Sequence, residues 1–254
     1  MVSEPRILKF FLGTNSPIGF VSRFDQITNA RTLDKVYVLK GGPGSGKSTL
    51  MKKVAEAAMP YTEELEYIHC ASDVDSLDAV IVPGLGSAIA DGTPPHPIEP
   101  KYPGVFEQII ASGDCWDVKK LSTERDRVIE LSDNISGLHK QAGRYLAAAS
   151  ALVGDNARTA AQCTDMEKVR MTAERIASRT FKNQHRKGTE RVRFLSTVTN
   201  KGYRRAAAQM MDHAADAVAE AKALHDILET YYVAATDYKK LDTMTKRVIS
   251  SFIK

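Results

Sequence analysis

The sequence predicts an α/β fold: a mainly parallel sheet flanked by helices, followed by a helical C-terminal extension. Three observations point there. From residue 1 to about 117, short apolar runs alternate with turns and helix-forming stretches, an order that builds parallel sheets. A glycine-rich octapeptide at 41–48 joins an apolar run to a helix-forming run. From Lys119 onward strand-like segments become few, and apolar residues recur at helical spacing. The chain divides into an α/β unit of residues 1–118 and a helical region of residues 119–254.

In chain order, residues 7–12 form an expected strand and 20–27 a short helix. Residues 35–40, with Val36, Val38 and Leu39 apolar, form a buried strand, and 49–58 a helix. Residues 66–70, 79–82 and 88–90 are three further core strands. The proline- and glycine-rich stretch 91–104 is an expected loop near the site. In the helical region Val128, Leu131, Ile135, Leu138, Ala142, Tyr145, Ala149 and Leu152 follow one another at alternating steps of 3 and 4 residues. That is a heptad seam. A second runs Ala217, Ala221, Leu224, Leu228, Tyr231, Ala235. A third helix at 239–252 carries Leu241, Met244, Val248 and Phe252 on one face. These stripes imply helices packed on each other and on the sheet, or a homo-oligomer joined through them.

Residues 41–48 read Gly41-Gly42-Pro43-Gly44-Ser45-Gly46-Lys47-Ser48, the pattern G-x-x-x-x-G-K-S. Strand, loop and helix stand in the order this motif requires, which makes residues 1–118 a P-loop NTPase unit. The loop amides of 41–49, through Thr49 at the helix start, would curl around an anion, helped by the helix N-terminus. Lys47 would reach the outer phosphates, and the Ser48 hydroxyl would bind Mg2+. A Mg–nucleoside triphosphate is the expected ligand. ATP is the expected nucleotide by elimination, because no Asn-Lys-x-Asp guanine-recognition motif is present. No LSGGQ-type signature or apolar run ending in Asp-Glu occurs either, which argues against transporter-type and AAA-type machines.

Acidic candidates follow from strand ends. Asp91, after the apolar 88–90, is placed to hold the water shell of Mg2+, though it could simply open the turn. Asp73 and Asp75 form a D-x-D after the 66–70 strand. One reading is a substrate-binding or base carboxylate; the other is capping of a helix by Ser72 and Asp73. Asp78, His69 and Cys70 are expected to be structural. His96 lies in a loop, where phosphate contact and a plain turn are both open. Arg125 and Arg127 open the first long helix, as lid arginines or as surface charge.

Composition bounds the rest. The 254 residues are 43% hydrophobic and 26% charged, with net charge +4, enough apolar residue for a core. The densest basic stretch, 182–193, has little aromatic interleaving and implies a solvated connection rather than nucleic-acid binding. Three cysteines without paired spacing argue against a disulfide framework or a zinc site. No apolar run reaches the roughly 18 residues of a spanning helix, and nothing resembles a signal peptide, so a cytoplasmic location is expected.

The chain also resembles itself. FLGTNSPIGF at 11–20 matches FLSTVTNKGY at 194–203, and Leu138-His139 with Tyr145-Leu-Ala-Ala-Ala149 matches Leu224-His225 with Tyr231-Tyr-Val-Ala-Ala235. The strings FFLGTNSPIGFVSRFDQI, YVLKGGPGSGKSTLMKK, EYIHCASDVDSLDAVIVP and AIADGTPPH resemble a family of bacterial P-loop ATPases, also described as nucleotide-kinase-like, whose halves look like tandem duplications with a phosphate loop each. The resemblance covers the first 120 residues well and the helices more loosely. It implies nucleotide binding and hydrolysis and no known substrate. Here the second half lacks its phosphate loop. Two alternatives to an ATPase stay open: a kinase with a nucleotide or small-metabolite acceptor, and a non-catalytic nucleotide-dependent interaction module.

Overall fold

The computed structural model describes residues 4–180, 192–194 and 209–254. Most of the basic stretch 182–193, and the second copy of the repeat beyond Phe194, lie outside them. Eight strands and six α-helices occur among the described residues. They are β1 (Arg6–Phe10), β2 (Gly13–Ser16), β3 (Gly19–Ser22), β4 (Lys35–Lys40), α1 (Lys47–Ala58), β5 (Glu64–His69), β6 (Leu77–Val82), β7 (Ser87–Asp91), β8 (Glu107–Ala111), α2 (Val118–Thr123), α3 (Arg125–Gln162), α4 (Met166–Thr180), α5 (Gln209–Ala235) and α6 (Tyr238–Ile253).

Six strands form one sheet in the order β1-β5-β6-β7-β4-β8, and β2 and β3 form a separate hairpin. The sheet is mostly parallel. β1–β5, β7–β4 and β4–β8 pair in parallel, while β6 runs against both its neighbours. The reversal follows from short links: residues 70–76 and 83–86 can close hairpins but cannot carry a crossover helix.

β4 shows why its sequence is almost continuously apolar. Tyr37 and Leu39 enter the core with α1 and α6 on one face. Val36 and Val38 enter the core on the other face with Leu12, Phe24 and Ile27. Alternate residues face opposite sides of a strand, and a strand buried on both sides has no polar face. Correcting the sequence reading, residues 20–27 are not a helix: they supply β3 and a 3-10 turn at Phe24–Gln26. Phe24 and Ile27 bury there because the sheet needs a cover on that face. β2, β3, β8, α2 and α4 were not anticipated.

The helical seams have two destinations. α3, about 57 Å long at 1.5 Å per residue, packs against α5 through Ala142, Leu146, Ala214, Ala217 and Val218. Leu152, expected in the seam, is exposed, whereas Leu146 is buried. A straight helix drifts from a strict 3.5-residue repeat. α6 instead enters the sheet core, with Met244, Val248 and Phe252 against α1. Its N-terminus is capped by Asp237, which accepts from the amides of Lys239 and Lys240 at 3.0 and 3.2 Å.

Phe252 is fully buried, and its ring lies 5.2 Å from that of Tyr37, centroid to centroid. Phe252→Ala should therefore cost about 3–5 kcal/mol in urea unfolding. A cost under about 1 kcal/mol would mean that α6 does not belong to the sheet core.

Candidate functional site

The loop between β4 and α1 must turn the chain from the sheet into a helix within residues 41–46. Gly44 and Gly46 do so at φ 64° and 78°, in the left-handed region that side chains disfavour. Gly46 is also the N-cap of α1 and supplies no side-chain acceptor. The first amides of the helix are therefore left for another acceptor. Ser45 is buried, and its Oγ donates to the Gly42 carbonyl at 2.8 Å. From β8's end, Ser112 Oγ donates to the Lys40 carbonyl at 2.9 Å and lies 3.4 Å from Ser45 Oγ. Both ends of the loop are thus tied down.

Lys47 folds back over this cradle. Its Nζ donates to the Gly41 and Gly42 carbonyls at 2.8 Å each, and lies 3.5 Å from Asp91 Oδ2. Asp91 is the last residue of β7, the strand beside β4. Its other oxygen accepts from the Thr93 amide at 2.9 Å and from Thr93 Oγ1 at 2.6 Å. Asp91 therefore holds the turn, as the second of its two sequence readings had it, and its free oxygen faces the loop lysine. Ser48 Oγ accepts from the Leu77 amide at 3.0 Å, and Thr49 is exposed.

The D-x-D segment lies against the first turns of α1. Asp73 accepts from the Asp75 amide at 3.2 Å and from Ser76 Oγ at 3.1 Å. No helix follows, so the helix-cap reading is corrected: Asp73 caps a turn into β6. Asp73 Oδ2 also lies 3.7 Å from Lys222 of α5. The Asp75 carbonyl accepts from Lys52 Nζ at 2.9 Å. Arg125 and Arg127 are exposed and pair with Asp126 and Glu130 at 2.9 and 2.7 Å.

Behind Asp91 lies a buried polar group. His96 Nδ1 is 3.1 Å from the Asp91 carbonyl, and its Nε2 lies 3.3 Å from Asp78 Oδ2. The latter is an ion-pair contact rather than an aligned hydrogen bond. Burial pushes the His96 imidazole down, but Asp78 and then Asp91 outweigh it and hold it above its ordinary value. The ring stacks on Phe24 at 4.4 Å. The Cys70 thiol, also against Asp78, is pushed well up by burial and then by that carboxylate.

Sequence reasoning missed the cover of the loop. A Cβ on Gly42 would come within 2.7 Å of the Tyr232 ring, and one on Gly44 within 2.9 Å of the Glu229 carbonyl. Leu241 lies 3.6 Å from the same position on Gly46. α5 and the start of α6 therefore lie directly on the 41–46 loop. His225, Glu229 and Tyr232 follow at steps of 4 and 3 residues, a second helical face beside the seam. That spacing was the available signal. His225 is lowered by burial first, with Lys47 among the charges acting on it.

Comparison with known families, with curated proteins and with solved structures finds no match to this chain. Among the described residues no cluster of three or more His, Cys, Asp or Glu could hold a metal by itself, and no helix is long and apolar enough to cross a membrane.

The cysteines check the buried polar group. Cys163 is exposed, Cys115 buried and Cys70 half-buried, its thiol pushed well up by burial and by Asp78. In the native protein one thiol should react rapidly with Ellman's reagent and two slowly, all three becoming equal in denaturant. Two or more fast thiols would mean that the Cys70–Asp78 pocket is open.

Proposed function

We propose that the chain is a Mg2+-dependent, ATP-binding P-loop NTPase that hydrolyses ATP, related to the bacterial P-loop ATPases its N-terminal strings resemble. The observation that carries this reading is that Lys47 folds over the glycine-rich loop and meets Asp91 there, with Lys47 Nζ 3.5 Å from Asp91 Oδ2. The cradle suits a triphosphate. Gly44 and Gly46 hold the loop in left-handed turns, the α1 N-terminus has no side-chain cap, and such a terminus is a ready anion site.

Each residue has a role in this reading. Lys47 exchanges the Gly41 and Gly42 carbonyls for outer phosphate oxygens. The Ser48 hydroxyl, with one lone pair taken by the Leu77 amide, keeps another for a cation. Asp91 holds the cation's water shell. Bound Mg2+ would supply charge neutralisation at the β- and γ-phosphates; the donor set fits it, because Mg2+ takes few protein ligands and shares phosphate oxygens. Catalysis here is positioning and electrostatic stabilisation of charge that develops in the transition state. Asp73 and Asp75, one turn away along α1, are the reserve carboxylates for orienting water.

A second reading, phosphoryl transfer to an acceptor, is favoured by an open basic cleft between the β2–β3 hairpin and α3. The readings separate by turnover: ATP consumed alone favours hydrolysis, and consumption that needs an acceptor favours transfer.

Lys47→Ala should leave the fold intact, remove the ATP-dependent rise in melting temperature and lower turnover at least about 10²–10³-fold. Equal thermal shifts for mutant and parent would remove the nucleotide site. Asp91→Asn should keep most ATP affinity and lose hydrolysis, since its work is greatest where charge develops. Full activity in Asp91→Asn, with loss in Asp73→Asn or Asp75→Asn, would move the cation role to the D-x-D turn.

A further inference from the structure

A cleft of about 500 Å³ lies between the β2–β3 hairpin and α3. Pro17 and Phe20 form its hairpin wall, and Ser136, His139, Lys140 and Arg144 line the helix side. These helix positions fall at steps of 3, 1 and 4 residues, so they share one face. Among the described residues neither Lys140 nor Arg144 is engaged by a carboxylate. Gly143, between them, leaves open space where a side chain would stand.

The cleft connects to the Asp91 side of the nucleotide site through its hairpin wall. Phe20 lies 6.1 Å ring to ring from His96, and His96 Nδ1 is 3.1 Å from the Asp91 carbonyl. On the helix side, His139 is lowered by burial and then by His225, and His225 in turn feels Lys47. On the hairpin side the route from the cleft to Asp91 therefore runs through Phe20 and His96.

We propose that this cleft binds a small phosphate monoester, its phosphate held by Lys140 and Arg144 with the Ser136 hydroxyl, and its body against Phe20 and Pro17. Two cations one turn apart, without a carboxylate partner among the described residues, match a dianion better than the single charge of a carboxylate, and charge-assisted bonds to phosphate are the strong kind. The volume exceeds that of a bare phosphate and leaves room for a sugar-sized body beside the apolar wall. The binding stands on the cleft itself. Its role as the acceptor site rests on the nucleotide reading of the loop.

The test is calorimetric titration of the full chain with ribose 5-phosphate, with ribose, inorganic phosphate and a sugar carboxylate as comparators. Ribose 5-phosphate should bind, ribose should not, and inorganic phosphate and the carboxylate should bind more weakly. Lys140→Ala/Arg144→Ala should weaken ribose 5-phosphate at least about tenfold per lost cation while leaving the ATP-dependent thermal shift intact. Both positions are exposed, so the fold is not at risk. Lys47→Ala should leave ribose 5-phosphate binding unchanged, which keeps this result separate from the fate of the nucleotide site. Binding that survives the double substitution, or that Lys47→Ala abolishes, would overturn the proposal. So would preference for the carboxylate, or no binding of ribose 5-phosphate at millimolar concentration.

Discussion

Backbone register across three neighbouring strands fixes everything at the site. β4 is held by β7 on one side and β8 on the other, with Leu39 opposite Asp91 and Lys40 opposite Ala111. The loop must leave the sheet where β4 ends. Register then delivers Asp91 to the lysine on one flank, and Ser112, the next residue after β8, to the loop backbone on the other. A slip of one residue in either ladder would turn Asp91 or Ser112 to the opposite face. The apolar β4 sequence, buried on both faces, resists that slip because every shift would misplace Tyr37 and Leu39 against Val36 and Val38.

The helices make the loop part of a larger unit. Residues 115–117 and 235–237 exchange backbone bonds: the Asp117 amide donates to the Ala235 carbonyl and the Asp237 amide to the Cys115 carbonyl, each at 2.7 Å. Trp116 lies 5.0 Å from Tyr232, the ring that sits on Gly42. The end of α5 is thus stitched to the strand-β8 exit and rests on the loop, while much of α3 and α4 beyond Ser150 is exposed. A change of shape in the loop would be felt first by Tyr232 and the root of the α3–α5 pair.

Local chemistry was legible in the sequence and long-range chemistry was not. β4, the loop and α1 are specified by adjacent residues, so their boundaries came out close. Residues 79–82 read as a strand, but the reversed direction of β6 did not, because direction depends on link length rather than on the strand's own residues. β2 reads Gly-Thr-Asn-Ser and has no apolar alternation to notice. The cover over Gly42 and Gly44 joins positions almost two hundred residues apart, and only the His225–Glu229–Tyr232 spacing hinted at it. The internal repeat acquires a physical meaning instead. Phe11 and Phe194, matched positions in the two strings, bond each other's backbone at 2.9 Å in both directions. His139 and His225, matched in the helices, feel each other electrostatically. Similar segments meet as antiparallel partners, as two copies of one unit would across a two-fold contact.

Asp78 and His96 explain why the carboxylate side of the site is stiff. A buried carboxylate in mid-sheet is costly unless a partner compensates it, and His96 does so from the loop after β7 while its other nitrogen meets the Asp91 carbonyl. Phe24 stacks on the same ring from the segment that covers the sheet. Three separate stretches of chain are therefore locked to the residue that faces Lys47. The opposite side is held differently: α5 touches the loop through a ring, a carbonyl and aliphatic carbons, with no ion pair to a loop residue among the described ones. Asp91 is thus carried by a base of buried polar contacts, whereas the cover meets the loop itself by packing and is anchored away from it, through the Asp117–Ala235 and Asp237–Cys115 backbone bonds and Lys222 beside Asp73.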